Sequence, residues 1–173
     1  ELTADQLPGA ADLAWASFPC QDLSLAGRRG GLAGARSSTF FALMDLIEGL
    51  RARGRAPALI AIENVTGLLS SAAGADFAAL CTAFVQTGYR FGALEIDAAA
   101  FLPQSRPRLF VIALDADLAP PAALVGAGGA FSSARVDAAR EALPETLRAS
   151  WIDWRLPAPP ARNIALHAIV EEA

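Results

Sequence analysis

A cysteine and an acidic residue each follow a short apolar segment that has the character of a strand. Cys20 stands in the segment 18–24, just after the apolar residues 13–16. Glu63 follows a second apolar run at 58–62. A thiolate is a strong nucleophile and a carboxyl group can hold or give a proton, so the pair suits covalent catalysis. In open α/β sheets such groups collect at strand ends.

Arginines accompany both groups. Arg106 and Arg108 stand just before a third apolar run, and Arg28 and Arg36 lie in the glycine-rich stretch after Cys20. All 14 positive residues of the chain are arginine, and arginine suits bidentate contacts with phosphates and bases. We expect one of the Arg106–Arg108 pair to reach into the site while the other holds the structure. The alternatives are solvated loop arginines and a GC-rich coding sequence.

The composition predicts one globular domain with a sizeable core. The chain has 173 residues, of which 54% are apolar, and its net charge is −4. This charge argues against a generally basic surface for nucleic acid. The apolar runs are strand-sized and no signal peptide is evident, so we expect a cytoplasmic protein without a membrane span. Cys81 lies on an apolar helix face and is interpreted as a core thiol, with no disulfide or metal site indicated. Because the chain opens without Met, we interpret it as a piece of a longer protein.

The apolar patterns predict an alternating α/β order. Strands are expected at about 13–17, 58–63, 89–97 and 108–114, and helices from Phe40 to Leu50 and at about 75–87, 133–142 and 164–172. The first two strands flank a helix and should run parallel, whereas the last two are too close for a crossover and should form an antiparallel hairpin. The fold class is therefore α/β, a partial Rossmann-like sheet. We assign 1–150 to this domain and 151–173, with its proline-rich stretch, to a linker.

The motifs and their order resemble those of the cytosine-5 DNA methyltransferase family. Four segments carry the resemblance: Phe18-Pro19-Cys20-Gln21-Asp22-Leu23-Ser24 with Ala26-Gly27, Gly34-Ala35-Arg36-Ser37-Ser38 with Phe40-Phe41, Glu63-Asn64-Val65-Thr66-Gly67-Leu68-Leu69, and Pro103-Gln104-Ser105-Arg106-Pro107-Arg108-Leu109-Phe110. The resemblance implies a class I methyltransferase fold, S-adenosylmethionine as methyl donor, no metal, and a cytosine flipped out of double-stranded DNA.

The resemblance also implies residue roles. Cys20 would add to carbon 6 of cytosine, Glu63 would protonate or hydrogen-bond ring nitrogen 3, and Arg108 would contact the ring oxygen. The residues implied to contact or support the substrate are Gln21, Ser24, Arg28, Arg36, Asn64, Gln104 and Arg106. Pro19 and Thr39 are the implied contacts to the methyl donor.

Two parts of the family pattern are not found in the sequence. The family's opening Phe-x-Gly-x-Gly loop, which holds the donor, is absent, and so is its target-recognition region. We therefore expect a monomeric catalytic piece, inactive alone, of a bacterial enzyme that is either a restriction-modification partner or a solitary or phage enzyme. A transfer-RNA cytosine-5 methyltransferase is an alternative, although the Cys-Phe-Thr insertion of such relatives is missing. A catalytically silent DNA-binding fragment is another, opposed by the retained catalytic residue types.

Overall fold

The computed structural model describes residues 2–18 and 39–162, and a four-stranded mixed sheet lies at their centre. Its strands are β1 (Leu13–Ser17), β2 (Leu59–Asn64), β3 (Tyr89–Asp97) and β4 (Pro107–Asp115). They lie in the order β1-β2-β4-β3. β1 and β2 run parallel, whereas β4 is antiparallel to both β2 and β3. The predicted α/β class, with a parallel pair and an antiparallel hairpin, is therefore confirmed.

Three helices of the described residues lie close to their predicted positions: α1 (Thr39–Arg51), α2 (Ala75–Gln86) and α3 (Ala134–Ala142). The short α4 (Glu145–Arg148) was not predicted. α1 buries a stripe of side chains three and four residues apart: Phe40, Met44, Ile47 and Leu50. That spacing is the amphipathic pattern from which the helix was predicted. The helix expected at 164–172 lies outside the described residues.

The two faces of the sheet are covered by different parts of the chain. One face packs against α1 and α2 and contributes alternate strand residues to the main core: Ile60, Ile62, Phe91, Ala93, Leu109, Val111 and Ala113. The other face supports a smaller cluster that includes Leu94, Leu114, Phe131, Ile152 and Trp154. Since successive residues of a strand point to opposite faces, Glu63 and Asn64 at the end of β2 belong to different sides of the sheet.

The chain packs against β3 beyond residue 150. The N–H of Ile152 donates to the Phe91 carbonyl at 2.6 Å, and the Phe91 N–H donates to Ser150 at 3.0 Å. The Trp154 indole donates to the Ile112 carbonyl at 2.9 Å. Ile152 and Trp154 are both buried. The division of the chain at residue 150 stays a prediction, and the structure adds that the first residues after it cover the sheet.

Candidate active site

The strand order brings three chain segments to one edge of the sheet. Because β1 and β2 are parallel, their final residues lie side by side, and Ser17 is the register partner of Glu63. Because β4 is antiparallel to β2, its beginning meets the end of β2, with Leu109 opposite Asn64. Arg108 therefore arrives at the same edge as Glu63, although the two are far apart in sequence. This edge is the candidate site.

Glu63 is held by two side chains from the strands on either side of it. The Arg108 Nε lies 2.9 Å from the Glu63 Oε1, and each side chain is 22% exposed. The Ser17 hydroxyl donates to the Glu63 Oε2 at 2.5 Å. Arg108 is itself oriented by a hydrogen bond from Nη1 to the Pro107 carbonyl at 2.9 Å. The result is a partly exposed carboxylate and guanidinium in contact, fixed at a strand end and accessible to a polar ligand.

Asn64 faces the interior on the other side of the sheet. It is 4% exposed. Its Nδ2 donates to the Phe18 carbonyl at 2.9 Å, and its Oδ1 accepts from the Val65 N–H at 2.9 Å. Phe18 is buried against Phe40, with 5.3 Å between ring centroids. The amide thus fixes the course of the main chain where it leaves β1, two residues before Cys20 in the sequence. A substrate contact by Asn64 stays a prediction.

The loop between β3 and β4 is organised by Asp97. Its carboxylate accepts from the Ala99 N–H at 2.9 Å, the Arg106 N–H at 2.6 Å and the Ser105 hydroxyl at 2.8 Å. These hydrogen bonds, from Ala99 first, lower the pKa of the Asp97 carboxyl. The Arg106 main chain is therefore anchored while its side chain, like that of Gln104, is exposed. Arg108, and not Arg106, meets Glu63.

Most of the other predicted site residues lie outside the described residues. Cys20 lies outside the described residues, as do Pro19, Gln21, Ser24, Arg28 and Arg36. Thr39 is described, as the exposed first residue of α1. Cys81 is fully buried in α2, where burial raises the pKa of its thiol. The interpretation of Cys81 as a core thiol is confirmed.

Sequence reasoning overlooked Ser17 and Asp97. A signal for Ser17 was present, since it is the polar last residue of an otherwise apolar strand, at the position in β1 that corresponds to Glu63 in β2. For Asp97 the signal was an acidic residue at the start of a short connection, where such side chains accept from nearby backbone N–H groups.

Two properties of the described residues bear on a membrane span and on a metal site. Within 2–18 and 39–162, the helices lack the combination of length and apolar character needed to traverse a bilayer. Across the same residues, there is no cluster of three or more histidine, cysteine or acidic side chains able to hold a metal ion.

Comparison with known proteins assigns the family. The family model described as C-5 cytosine-specific DNA methylase matches residues 1–145. The chain therefore belongs to the family of C-5 cytosine-specific DNA methylases, as the motifs predicted.

Two relatives of this chain are a Bacillus and a phage methyltransferase. The chain is 38% identical over 109 residues to the type II methyltransferase M2.BsuMI of Bacillus subtilis, covering 62% of this chain and 28% of that protein. It is 32% identical to the orphan methyltransferase M.SPRI of Bacillus phage SPR, covering 62% and 24%. The chain thus spans about a quarter of the length of these curated relatives. Among solved structures, the Dnmt2 methyltransferase of S. pombe aligns with a TM-score of 0.47 at 23% identity, covering 69% of this chain and 35% of that one.

Proposed function

We propose that this chain is part of an enzyme that methylates carbon 5 of a flipped cytosine in double-stranded DNA. The expected cytoplasmic location is part of this proposal. The observation that carries it is the contact between Glu63 and Arg108 at the edge where β1 delivers the chain towards Cys20. Membership of the C-5 cytosine-specific DNA methylase family supports the choice of cytosine. The type II methyltransferases among the relatives favour DNA over transfer RNA.

The chemistry begins with attack on an aromatic ring that resists nucleophiles. The Cys20 thiolate forms a bond to carbon 6, and the electron pair that this displaces makes carbon 5 nucleophilic. Charge that develops on the ring is neutralised as Glu63 protonates or hydrogen-bonds ring nitrogen 3. Arg108 donates a hydrogen bond to the ring oxygen. The ring oxygen and nitrogen 3 are neighbours, which matches a guanidinium and a carboxyl group that lie 2.9 Å apart.

The cycle closes on the same residues. S-adenosylmethionine, the proposed donor, supplies an electrophilic methyl group. Afterwards ring nitrogen 3 returns its proton to Glu63 and the carbon 5 proton passes to water. The electron pair of that carbon–hydrogen bond forms the double bond between carbons 5 and 6, the bond from carbon 6 to sulfur breaks, and Cys20 departs as thiolate. Of the two predicted donor contacts, Pro19 and Thr39, the described residues include Thr39.

Cysteine substitution in the intact protein tests the proposal. Cys20→Ser should abolish methyl transfer and the covalent adduct with a 5-fluorocytosine duplex, while DNA binding persists, because a hydroxyl is far less ionised than a thiol near neutral pH. Cys81→Ala is the matched control, since this thiol is buried in α2. Near-normal turnover by Cys20→Ser would overturn the proposal. An adduct formed with 5-fluorocytosine transfer RNA alone would replace DNA with transfer RNA, and no adduct with either would favour a silent fragment.

Contacts with the DNA backbone are proposed for the residues that follow Cys20. Ser24 carries a short hydroxyl side chain, and Arg28 and Arg36 are suited to phosphates. Replacing both arginines by alanine in the intact protein should weaken DNA binding and flatten its salt dependence by roughly two counterions. The choice of target sequence should not change. A titration over salt concentrations measures the slope, and an unchanged slope would remove these arginines from the interface.

A further inference from the structure

Ser17 contacts the carboxylate on which the proposed chemistry depends. It is the last residue of β1 and lies directly opposite Glu63 in the parallel register. Its hydroxyl donates to the Glu63 Oε2 at 2.5 Å, while the Arg108 Nε contacts Oε1 at 2.9 Å. The strand on each side of β2 thus supplies one contact, and each contact takes a different carboxylate oxygen.

Two contacts to different oxygens fix the orientation of the Glu63 carboxylate, which one contact cannot do. A glutamate side chain turns about three bonds, and a single ion pair fixes the place of one oxygen but leaves the carboxylate plane free to turn. A second contact from the opposite side fixes the plane. Ring nitrogen 3 needs a proton donor in one direction, and small errors in such geometry reduce rates steeply.

The surroundings of Ser17 argue against a role in folding. Its side chain is exposed, in contrast to the buried core residues on the other face of the sheet. Ala14 and Ala16, which alternate with it along β1, pack against that core, whereas Ser17 points to the face of Glu63. Removal of an exposed hydroxyl at a strand end seldom changes stability much. The bond to Glu63 is therefore the one evident function of this side chain.

We infer that Ser17 is a positioning residue, which orients the Glu63 carboxyl group for the proton transfer to cytosine. The inference rests on the proposed function and adds to it a residue whose effect passes entirely through Glu63. A threonine carries the same hydroxyl on a β-branched side chain that strands accept well. Alanine removes the hydroxyl. The pair of variants separates the hydroxyl from the size of the side chain.

The experiment measures steady-state methyl transfer by the intact protein on duplex DNA. Ser17→Ala should lower kcat about tenfold to a hundredfold, within the range that misplaced catalytic groups cost, and leave KM for DNA and the unfolding midpoint unchanged. Ser17→Thr should restore kcat. Ser70→Ala, which removes an exposed hydroxyl whose contact to Gly67 is 3.4 Å long, should match the unmodified protein.

The same substitution in a Glu63→Gln protein tests whether the effect of Ser17 passes through Glu63. In Glu63→Gln protein, whose residual rate is measured by single turnover, Ser17→Ala should cause no further loss, because the two changes act on one group. An undiminished kcat for Ser17→Ala, no rescue by threonine, or an equal loss in both backgrounds would overturn the inference while the proposed function stands. Full activity of Glu63→Gln itself, or no methyl transfer by the unmodified protein, would overturn the proposed function and the inference with it.

Discussion

Gly92 in β3 is where the chain after residue 150 comes closest to the sheet, and its replacement by alanine tests that packing. A Cβ at this position would lie 1.9 Å from the Ile152 carbonyl oxygen and 2.7 Å from the Trp154 Cδ1. Ordinary contact begins at 3.4 Å, so the Ile152 backbone would have to move by 3.4 − 1.9 = 1.5 Å. The obstacle is backbone, which cannot rotate away as a flexible side chain does.

The expected loss of stability follows from the hydrogen bonds that this movement would break. The hydrogen bonds from Ile152 N–H to Phe91 and from the Trp154 indole to Ile112 are lost or lengthened, at about 1 kcal/mol each. Overpacking adds about 1–3 kcal/mol. We therefore expect Gly92→Ala to lower the free energy of unfolding by about 3–5 kcal/mol.

Urea unfolding followed by tryptophan fluorescence measures the stability, and the emission of the three tryptophans includes that of Trp154. Emission should shift to longer wavelength in the variant, as this buried indole becomes hydrated. The matched control is Gly67→Ala, where an added Cβ meets only the Val65 Cγ2 at 4.0 Å. An unchanged midpoint and emission for Gly92→Ala would refute the packing of 150–156 on β3.

Three further predictions concern single side chains. Asn64→Ala leaves two backbone groups without their partners and should cost about 2–4 kcal/mol in urea unfolding, whereas the exposed Gln86→Ala should stay within about 0.5 kcal/mol. Because the folded pKa of Asp97 lies below its ordinary value of 3.8, its stabilisation of the loop 98–106 is present above pH 3.8 and is lost as the pH falls through the folded pKa. A fall in the amide-exchange protection factors of that loop on acidification, with the intrinsic exchange rate at each pH divided out, measures this. Burial raises the pKa of the Cys81 thiol, so alkylation at pH 8, followed by peptide mass spectrometry, should modify Cys81 only after unfolding; reaction in the folded protein would contradict this burial.

The elements were predictable because the local signals agree with each other. β2 is an apolar run bounded by Pro57 and by the polar residues at its end, and α1 carries apolar side chains at helical spacing before Gly54. The parallel and antiparallel pairings followed from the lengths of the connections. Segments such as 150–156 gave no such signal, because an extended stretch near prolines is equally suited to a linker. Its place on β3 depends on Gly92, whose meaning appears only when two distant segments are brought together.

The candidate site was predictable in its residue types but not in its contacts. Strand ends placed Glu63 and Arg108 at a common edge in principle, yet which arginine reaches Glu63 depends on where β4 begins. The structure starts β4 at Pro107, which puts Arg108 inside the strand and leaves Arg106 in the loop held by Asp97. The contact of Ser17 was not predicted for the same reason. Its hydroxyl reaches Glu63 because the two residues are register partners near the ends of β1 and β2.

The pair Glu63–Asn64 shows how a strand end can serve a site and its support together. Neighbouring residues of a strand face opposite ways, so the carboxylate turns to Arg108 while the amide turns into the core and holds the Phe18 carbonyl. The main chain that leads to Cys20 is thereby tied to the same short stretch of β2 that carries the proposed proton donor, Glu63. A shift of β2 by one residue would exchange the two faces and place the carboxylate in the apolar core. The register of β2 between β1 and β4 is therefore the structural condition on which the proposed chemistry rests.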